Sequence, residues 1–404
     1  MTSVPARRKV VLVHRYFAPD TPPYANMLRP IAAALAAGGH EVTVLTCQPS
    51  YNRRVVSSAP SKERLDGVSV VRWPVFDDRR STRLKVVNLV WFCLRILGAR
   101  RHFREADVVM AATTPPVLVA LVCGWVARRH GAAFVYHKQD IYPEVVGTPA
   151  SSPRKLFAML LRWVDRRTDQ RASRIVVLSR DMAATSIGRG SRPECTVVLN
   201  NFDPWDLPAE PAASTSRVPG ELNLVFAGNL GRFQGLDDLV ELIDRTRDEP
   251  RIRWHFFGDG PLAAKLEKRT SAGGSVIMYG YQSAATVAEF VRDRADLGVV
   301  SLNRGVIAAA YPSKTMTYLR NGCPVLAVVE QDSELAQMVR SDRIGLTGAQ
   351  ADTEGLSVRL RALCDDPSPL VEARERAAAT YRDRFSMKRQ LALWCRLMDE
   401  VAAE

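Results

Sequence analysis

The sequence predicts an α/β protein built from two doubly wound, parallel-sheet, Rossmann-like domains that face each other across a cleft. Three observations carry this. Short runs rich in β-branched residues alternate with helix-length segments. The runs are apolar on both faces, as strands of a covered parallel sheet are. The alternation stops at a cluster of prolines and then restarts. A chain of 404 residues has room for two such domains.

In the first half the expected strands are Lys9–His14, Glu41–Thr46, Asp107–Ala112, Phe134–His137, Ile175–Ser179 and Thr196–Asn200. Helices Ala25–Ala37, Val117–His130 and Pro153–Arg171 lie between them, giving a domain over 1–201. Pro204, Pro208, Pro211, Ser214, Ser216 and Pro219 then mark a hinge over 202–219. The second domain, 220–385, has strands Leu222–Ala227, Arg251–Phe257, Val276–Tyr279, Leu297–Leu302 and Pro324–Val329. Its helices are Leu236–Thr246, Leu262–Arg269, Ala284–Arg294 and Ser313–Arg320. The tail, 386–404, reads as a helix whose Leu391, Leu393, Trp394 and Leu397 can dock on the first domain. Ligands of open α/β sheets bind beyond the carboxyl ends of the strands, which places the site in the cleft between the domains. Movement about the hinge would gate it.

With 47% hydrophobic and 25% charged residues the composition is that of a globular protein and excludes fibrous and disordered classes. No apolar run reaches the ~18 residues that span a bilayer. The basic start (Arg7, Arg8, Lys9) is followed by only Val10–Val13, too short for an export signal, so a cytoplasmic protein is expected. The seven cysteines lie singly, without Cys-x-x-Cys or zinc-like Cys/His spacing, and read as reduced core residues.

A net charge of +13 points to an anionic partner: nucleic acid, a membrane surface or a phosphorylated substrate. Arg79, Arg80, Arg83, Lys85, Arg95, Arg100, Arg101 and Arg104 surround the apolar run Leu84–Gly98. Arg154, Lys155, Arg162, Arg166, Arg167 and Arg171 stud a helix carrying Leu156, Phe157, Leu160, Leu161 and Trp163. Cations beside apolar, Trp-bearing faces suit an anionic membrane surface better than a base-reading groove. They also suit the outer faces of ordinary core-packing helices. No base-reading module is present, and no nucleic-acid partner is expected.

The loops after the strands carry the candidate chemistry. Gly228-Asn229-Leu230-Gly231-Arg232-Phe233-Gln234-Gly235 follows a strand and opens a helix, a setting in which backbone N–H groups approach an anion. It is not the Gly-x-Gly-x-x-Gly pattern of dinucleotide oxidoreductases. Gly258-Asp259-Gly260-Pro261 follows the next strand, and Pro312-Ser313-Lys314 opens a helix that ends at Asn321-Gly322.

This ordered set, with Tyr311-Pro312-Ser313-Lys314 and Tyr318-Leu319 before Asn321-Gly322-Cys323-Pro324-Val325, resembles the donor-binding half of family-four glycosyltransferases, which have the GT-B fold. The first half agrees: His14-Arg15-Tyr16-Phe17-Ala18-Pro19-Asp20 and Gly39-His40-Glu41-Val42-Thr43-Val44 look like that family's opening strand, loop and second strand. Thr114-Pro115-Pro116 and Gln139-Asp140-Ile141-Tyr142-Pro143-Glu144 are similar to bacterial transferases of O-antigen, colanic-acid and capsule assembly.

The resemblance implies a metal-independent, retaining transfer of a sugar, hexosyl or acetylaminosugar, from a nucleoside diphosphate sugar such as a UDP-sugar. The acceptor would be a hydroxyl of a lipid-linked saccharide at the inner membrane face. Transfer to a small-molecule acceptor, or sugar-nucleotide epimerisation or hydrolysis on the same fold, are the alternatives. The nucleotide-sugar would be a co-substrate, with no cofactor. No two aspartates lie two residues apart, so the Asp-x-Asp clamp of the other large transferase fold is missing.

Donor-side candidates are Gly228, Asn229, Gly231, Arg232, Gln234, Gly258, Asp259, Gly260, Ser313, Lys314 and Thr317. Lys314 and Arg232 would supply the cations that meet a diphosphate. Asp140, His137 and Glu144 are the catalytic candidates, to orient an acceptor hydroxyl or take its proton. His14, Pro22, Pro23 and Tyr24 form the acceptor-side loop. The sequence also departs from its relatives. Ala309 and Thr317 stand where many carry two glutamates, Asn229 and Gln234 where many carry Arg and Lys, and Thr21-Pro22-Pro23-Tyr24 where a Gly-Gly pair is frequent.

Overall fold

A computed structural model describes residues 7–51, 58–78, 81–113, 117–146, 152–205, 220–270 and 274–403. Thr114-Pro115-Pro116, Arg79, Arg80 and the hinge residues 206–219 lie outside them. The chain forms two compact units, 1–204 with 387–404, and 205–386.

The first unit contains β1 (Lys9–Val13), α1 (Pro23–Ala37), β2 (Glu41–Cys47), β3 (Lys62–Leu65), β4 (Val68–Trp73), α2 (Thr82–Gly98) and α3 (Arg100–Arg104). It continues through β5 (Val108–Ala112), α4 (Leu118–Arg129), β6 (Ala133–His137), α5 (Ser152–Asp169), β7 (Arg174–Val177), α6 (Arg180–Gly188) and β8 (Thr196–Val198). The sheet order is β3-β4-β2-β1-β5-β6-β7-β8. All pairings are parallel except β3 with β4, an antiparallel edge hairpin that departs from the all-parallel expectation. Val108–Ala112 is buried at every residue, because a central parallel strand is covered on both sides. Pro23, at the first position of α1, loses no hydrogen bond there. Ser81 and Ser179 cap α2 and α6 by accepting from Leu84 N and Met182 N.

The second unit runs β9 (Leu222–Ala227), α7 (Leu236–Arg245), β10 (Ile252–Phe257), α8 (Ala263–Thr270), β11 (Val276–Gly280), α9 (Ala284–Asp293) and β12 (Leu297–Ser301). Then come α10 (Lys314–Arg320), β13 (Val325–Val328), α11 (Glu334–Ser341), β14 (Gly345–Gly348), α12 (Thr353–Asp365) and α13 (Ser368–Thr380). Its six strands are parallel in the order β11-β10-β9-β12-β13-β14.

The last helix, α14 (Met387–Ala403), belongs to the first unit and packs on α1. Trp394, Leu397, Met398 and Val401 enter the core formed by β1, β2 and α1, and His40 Nε2 lies 3.1 Å from an Asp399 carboxylate oxygen. On the opposite side of the sheet α4 packs on β5 and β6, with α2 and α5 against its flanks. Six cysteines are buried and Cys395 half-buried, all as free thiols.

Candidate active site

In the second unit β9 is flanked by β10 on one side and β12 on the other, so the connections leaving β9 and β12 diverge. This is the switch point at which open α/β sheets form a crevice. The donor-side candidates from both loops meet there. Asn303 donates its backbone N–H to Phe233 O (3.0 Å) and its side-chain amide to Arg232 O (2.7 Å), and Ser301 Oγ donates to Gly235 O (3.1 Å). Lys314 Nζ donates to Gln234 Oε1 at 2.5 Å, 3.5 Å from the centroid of the Phe226 ring. Burial pushes the Lys314 ammonium well below its ordinary value.

Arg232 is exposed, and no described residue pairs with its guanidinium. Gly228 and Asn229 beside it are also exposed, and Gly231 is half-buried. Gln234 is the hydrogen-bond acceptor that holds Lys314. Ser313 is exposed and precedes α10 without capping it; Thr317 is half-buried, and its carbonyl accepts from Asn321 Nδ2 at 2.7 Å.

The Gly-Asp-Gly turn after β10 packs tightly on the loop after β9. In the structure a Cβ on Gly258 (φ 134°) would lie 2.0 Å from Gly228 O, and one on Gly260 2.6 Å from Leu230 O. Both glycines allow the loops after β9 and β10 to lie against each other, with Gly228 N donating to Phe257 O and Leu230 N to Asp259 O. Asp259 Oδ1 accepts from Gly260 N at 2.7 Å and so fixes this turn.

Tyr318, legible in the sequence only as part of a motif, and Glu330, which sequence reasoning missed, complete the support. Tyr318 accepts from Ala227 N at 2.9 Å and lies flat on Gly298, where a Cβ would come 2.3 Å from the ring, tying α10 to β9 and β12. Glu330, two residues after β13, accepts from Gly305 N.

In the first unit the carboxyl ends of β1 and β6 hold a linked set of buried rings. His14 Nδ1 donates to Tyr16 O (2.7 Å), and its ring meets Tyr24 edge-on at 4.6 Å. Pro22 and Pro23 open α1 and bring Tyr24 onto His137, where Tyr24 Oη and His137 Nδ1 are 2.9 Å apart. Asn201 Nδ2 donates to Gln139 Oε1 (3.0 Å), which turns the Gln139 amide nitrogen toward His137 Nε2 at 2.7 Å. The amide orientation therefore assigns the ring proton to Nδ1, with Nε2 as acceptor. Burial lowers His14 to about 4 and His137 to about 3. Both rings are neutral at pH 7.

The three catalytic candidates sit in different surroundings. His137 has both nitrogens engaged and is packed between Tyr24 and Trp394, so it holds the site together and has no lone pair for an acceptor. Glu144 is also engaged, its oxygens 2.9 Å from Arg162 and 3.1 Å from Arg189. Asp140 differs. Its backbone N–H donates to Thr113 Oγ1, while its carboxylate has no partner among the described residues. Burial raises this carboxyl to about 6. Beneath the loop, Lys138 is fully buried between Asp165 and Asp169, an anchoring network that sequence reasoning missed. Among the described residues no three His, Cys, Asp or Glu side chains gather as a metal site.

Known proteins agree with this architecture. The chain is 26% identical over 378 residues to the Escherichia coli K12 protein named "Putative colanic acid biosynthesis glycosyl transferase WcaI", covering 88% of this chain and 92% of that one. It is 26% identical over 272 residues to "Probable glycosyltransferase WbjE" of Pseudomonas aeruginosa, covering 65% and 67%. Among solved structures, Anabaena Alr3699/HepE in complex with UDP-glucose superposes with a TM-score of 0.69 at 14% identity, over 98% of this chain and all of that one (100%). The lipopolysaccharide glycosyltransferase WaaG does so with 0.67 at 16%, over 96% and 99%. Residues 24–201 match the family model "Glycosyl transferase 4-like domain" and residues 212–383 match "Glycosyl transferases group 1". With both units and both matches in place, the chain belongs to the glycosyltransferases of the GT-B fold.

Proposed function

We propose that this enzyme transfers a hexosyl or acetylaminosugar unit from a UDP-sugar to a hydroxyl of a lipid-linked saccharide in cell-surface polysaccharide assembly. Transfer proceeds with retention and without a metal, on the inner face of the membrane. The observation that carries the donor half is the hydrogen bond of Lys314 to Gln234 at the switch point of the second unit, on the same loop as the exposed Arg232, whose guanidinium has no partner among the described residues. Solved relatives hold UDP and UDP-glucose on the same fold, which supports the nucleotide. The colanic-acid name of the Escherichia coli relative supports the polysaccharide context.

In this mechanism the bond from the anomeric carbon to the β-phosphate oxygen breaks and a bond to the acceptor oxygen forms. Arg232 and Lys314 meet the charge that builds on the departing diphosphate. Asp140, ionised above about pH 6, orients the acceptor hydroxyl or takes its proton. His137 and Tyr24 hold the loop that carries it. The test is to incubate the purified enzyme with UDP-, GDP- and dTDP-sugars and a membrane lipid extract, following sugar incorporation into lipid and UDP release. UDP release independent of acceptor would indicate a hydrolase, and incorporation only from GDP- or dTDP-sugars would reassign the donor.

A further inference from the structure

We propose that the outer face of α2, α4 and α5 is a bilayer-docking surface that inserts apolar side chains among anionic lipids. This rests on the reading that the enzyme works at a membrane and identifies the part that touches it. The exposed large apolar residues of the first unit concentrate here: Leu94 on α2, Trp125 on α4, and Leu156, Phe157, Leu160 and Trp163 on α5. Leu156 is 69% exposed, Phe157 61%, Trp125 53% and Trp163 52%. Because α4 packs against both α2 and α5, these side chains belong to adjacent helices on one side of the sheet. Exposed apolar groups this numerous and this close mark an interaction site.

Charge selects the occupant. The only acidic residues on these three helices are Asp165 and Asp169, and both point inward onto Lys138. The outward cations include Arg83 and Lys85 on α2 and Lys155, Arg166 and Arg167 on α5, all exposed. Arg167 lies over the Trp163 ring at 5.4 Å, the mixed cationic and aromatic surface that suits the lipid headgroup layer. A second copy would set this cationic face against itself, since a two-fold interface pairs a patch with its own image. An anionic leaflet complements it. Among the described residues no helix is long and apolar enough to cross a membrane, so this contact is with one leaflet.

The test is flotation of the full-length protein with vesicles of phosphatidylcholine alone and of phosphatidylcholine with phosphatidylglycerol, neither containing acceptor lipid. Wild type should float with anionic vesicles, with tryptophan emission quenched by brominated acyl chains. The triple variant Phe157→Ser, Leu160→Ser, Trp163→Ser should lose about tenfold or more of this partitioning at every salt concentration. The double variant Lys155→Glu, Arg167→Glu should lose it for anionic vesicles at low salt. Circular dichroism and cooperative thermal unfolding, unchanged in both variants, report that the first unit is folded. A wild type that stays with the aqueous fraction at low salt, or a triple variant that floats normally, overturns the proposal. So does a triple variant that differs only by becoming monomeric in light scattering. Failure of the acceptor assignment reads differently: the protein floats but transfers no sugar to lipid.

Discussion

The ammonium of Lys314 and the side-chain amide of Gln234, 80 residues apart, are joined by a hydrogen bond of 2.5 Å. The lysine is thereby held over the Phe226 ring and against Gly228. A side chain held in place before its ligand arrives loses little conformational entropy on binding.

Lys314→Ala should therefore weaken UDP binding at least roughly tenfold, since a charge-assisted hydrogen bond contributes about 1.5–3 kcal/mol. The depressed ammonium adds a pH signature. Burial favours its neutral form, and a bound diphosphate restores the charge, so binding takes up a proton between the two values. UDP affinity should fall as pH rises through that window, with a slope that Lys314→Gln abolishes. Calorimetry in buffers of different ionisation enthalpy measures the proton uptake directly. Unchanged affinity in both variants would return Lys314 to a packing role.

Excess EDTA should leave turnover unchanged, because cationic side chains are assigned the neutralisation of the leaving group. Loss of activity restored by magnesium or manganese would require a metal in the mechanism.

Gly258→Ala should destabilise the second unit by about 2–4 kcal/mol, since the new methyl meets a backbone oxygen in a left-handed conformation. Thermal unfolding of the variant, compared with Gly39→Ala, separates close approach from backbone strain. Gly39 also has a positive φ of 98° but an empty surrounding. Similar losses in the two would show that contact between the loops after β9 and β10 adds nothing.

The fold was legible because its central strands are apolar on both faces: Val10–Val13 of β1 and Val108–Ala112 are uninterrupted apolar runs. The edge hairpin was overlooked, since Lys62–Leu65 alternates exposed and half-buried residues and has no apolar run. Its signal was the turn Asp66-Gly67, where both φ angles are positive (51° and 81°), a setting in which Asp-Gly is favoured. Helices α11 to α13 and β14 fall after Val329, where the short strand Gly345–Gly348 has glycine at both ends and a weak strand signal. At the site, residue types could be named but not their partners. Lys314 and Gln234 were separate candidates, and nothing local couples them. Likewise the partners of His137 and Glu144 were hidden because Tyr24, which engages His137 Nδ1, lies 113 residues away, and Arg162 and Arg189 come from α5 and from the turn after α6.

The ion pairs of Glu144 predict that Glu144→Gln lowers stability more than it lowers turnover. Its ion pairs are partly exposed, so the loss should be about 1 kcal/mol, with kcat within about threefold of wild type. A variant that is normally stable but inactive would put the carboxylate back among the catalytic groups.

Asp140→Asn should separate activity from stability in the opposite sense. Its carboxyl is raised to about 6 by burial, so the folded protein prefers it protonated, and the ionised form is a cost. That cost is absent below the ordinary carboxylate range near pH 4, grows as pH rises toward 6, and is complete above it. The asparagine keeps the shape without the charge and should raise stability near pH 7 by about 1–3 kcal/mol, or ~2–4 °C per kcal/mol. At acidic pH this gain should vanish. Turnover should fall by about 10²–10⁴ if the carboxylate takes the acceptor proton, with UDP affinity within about threefold. The wild-type kcat profile should lose activity as pH drops through about 6, and the variant's residual activity should lack that limb. Near-normal turnover together with higher stability at pH 7 would show a strained but idle carboxylate and move the catalytic role elsewhere in the site.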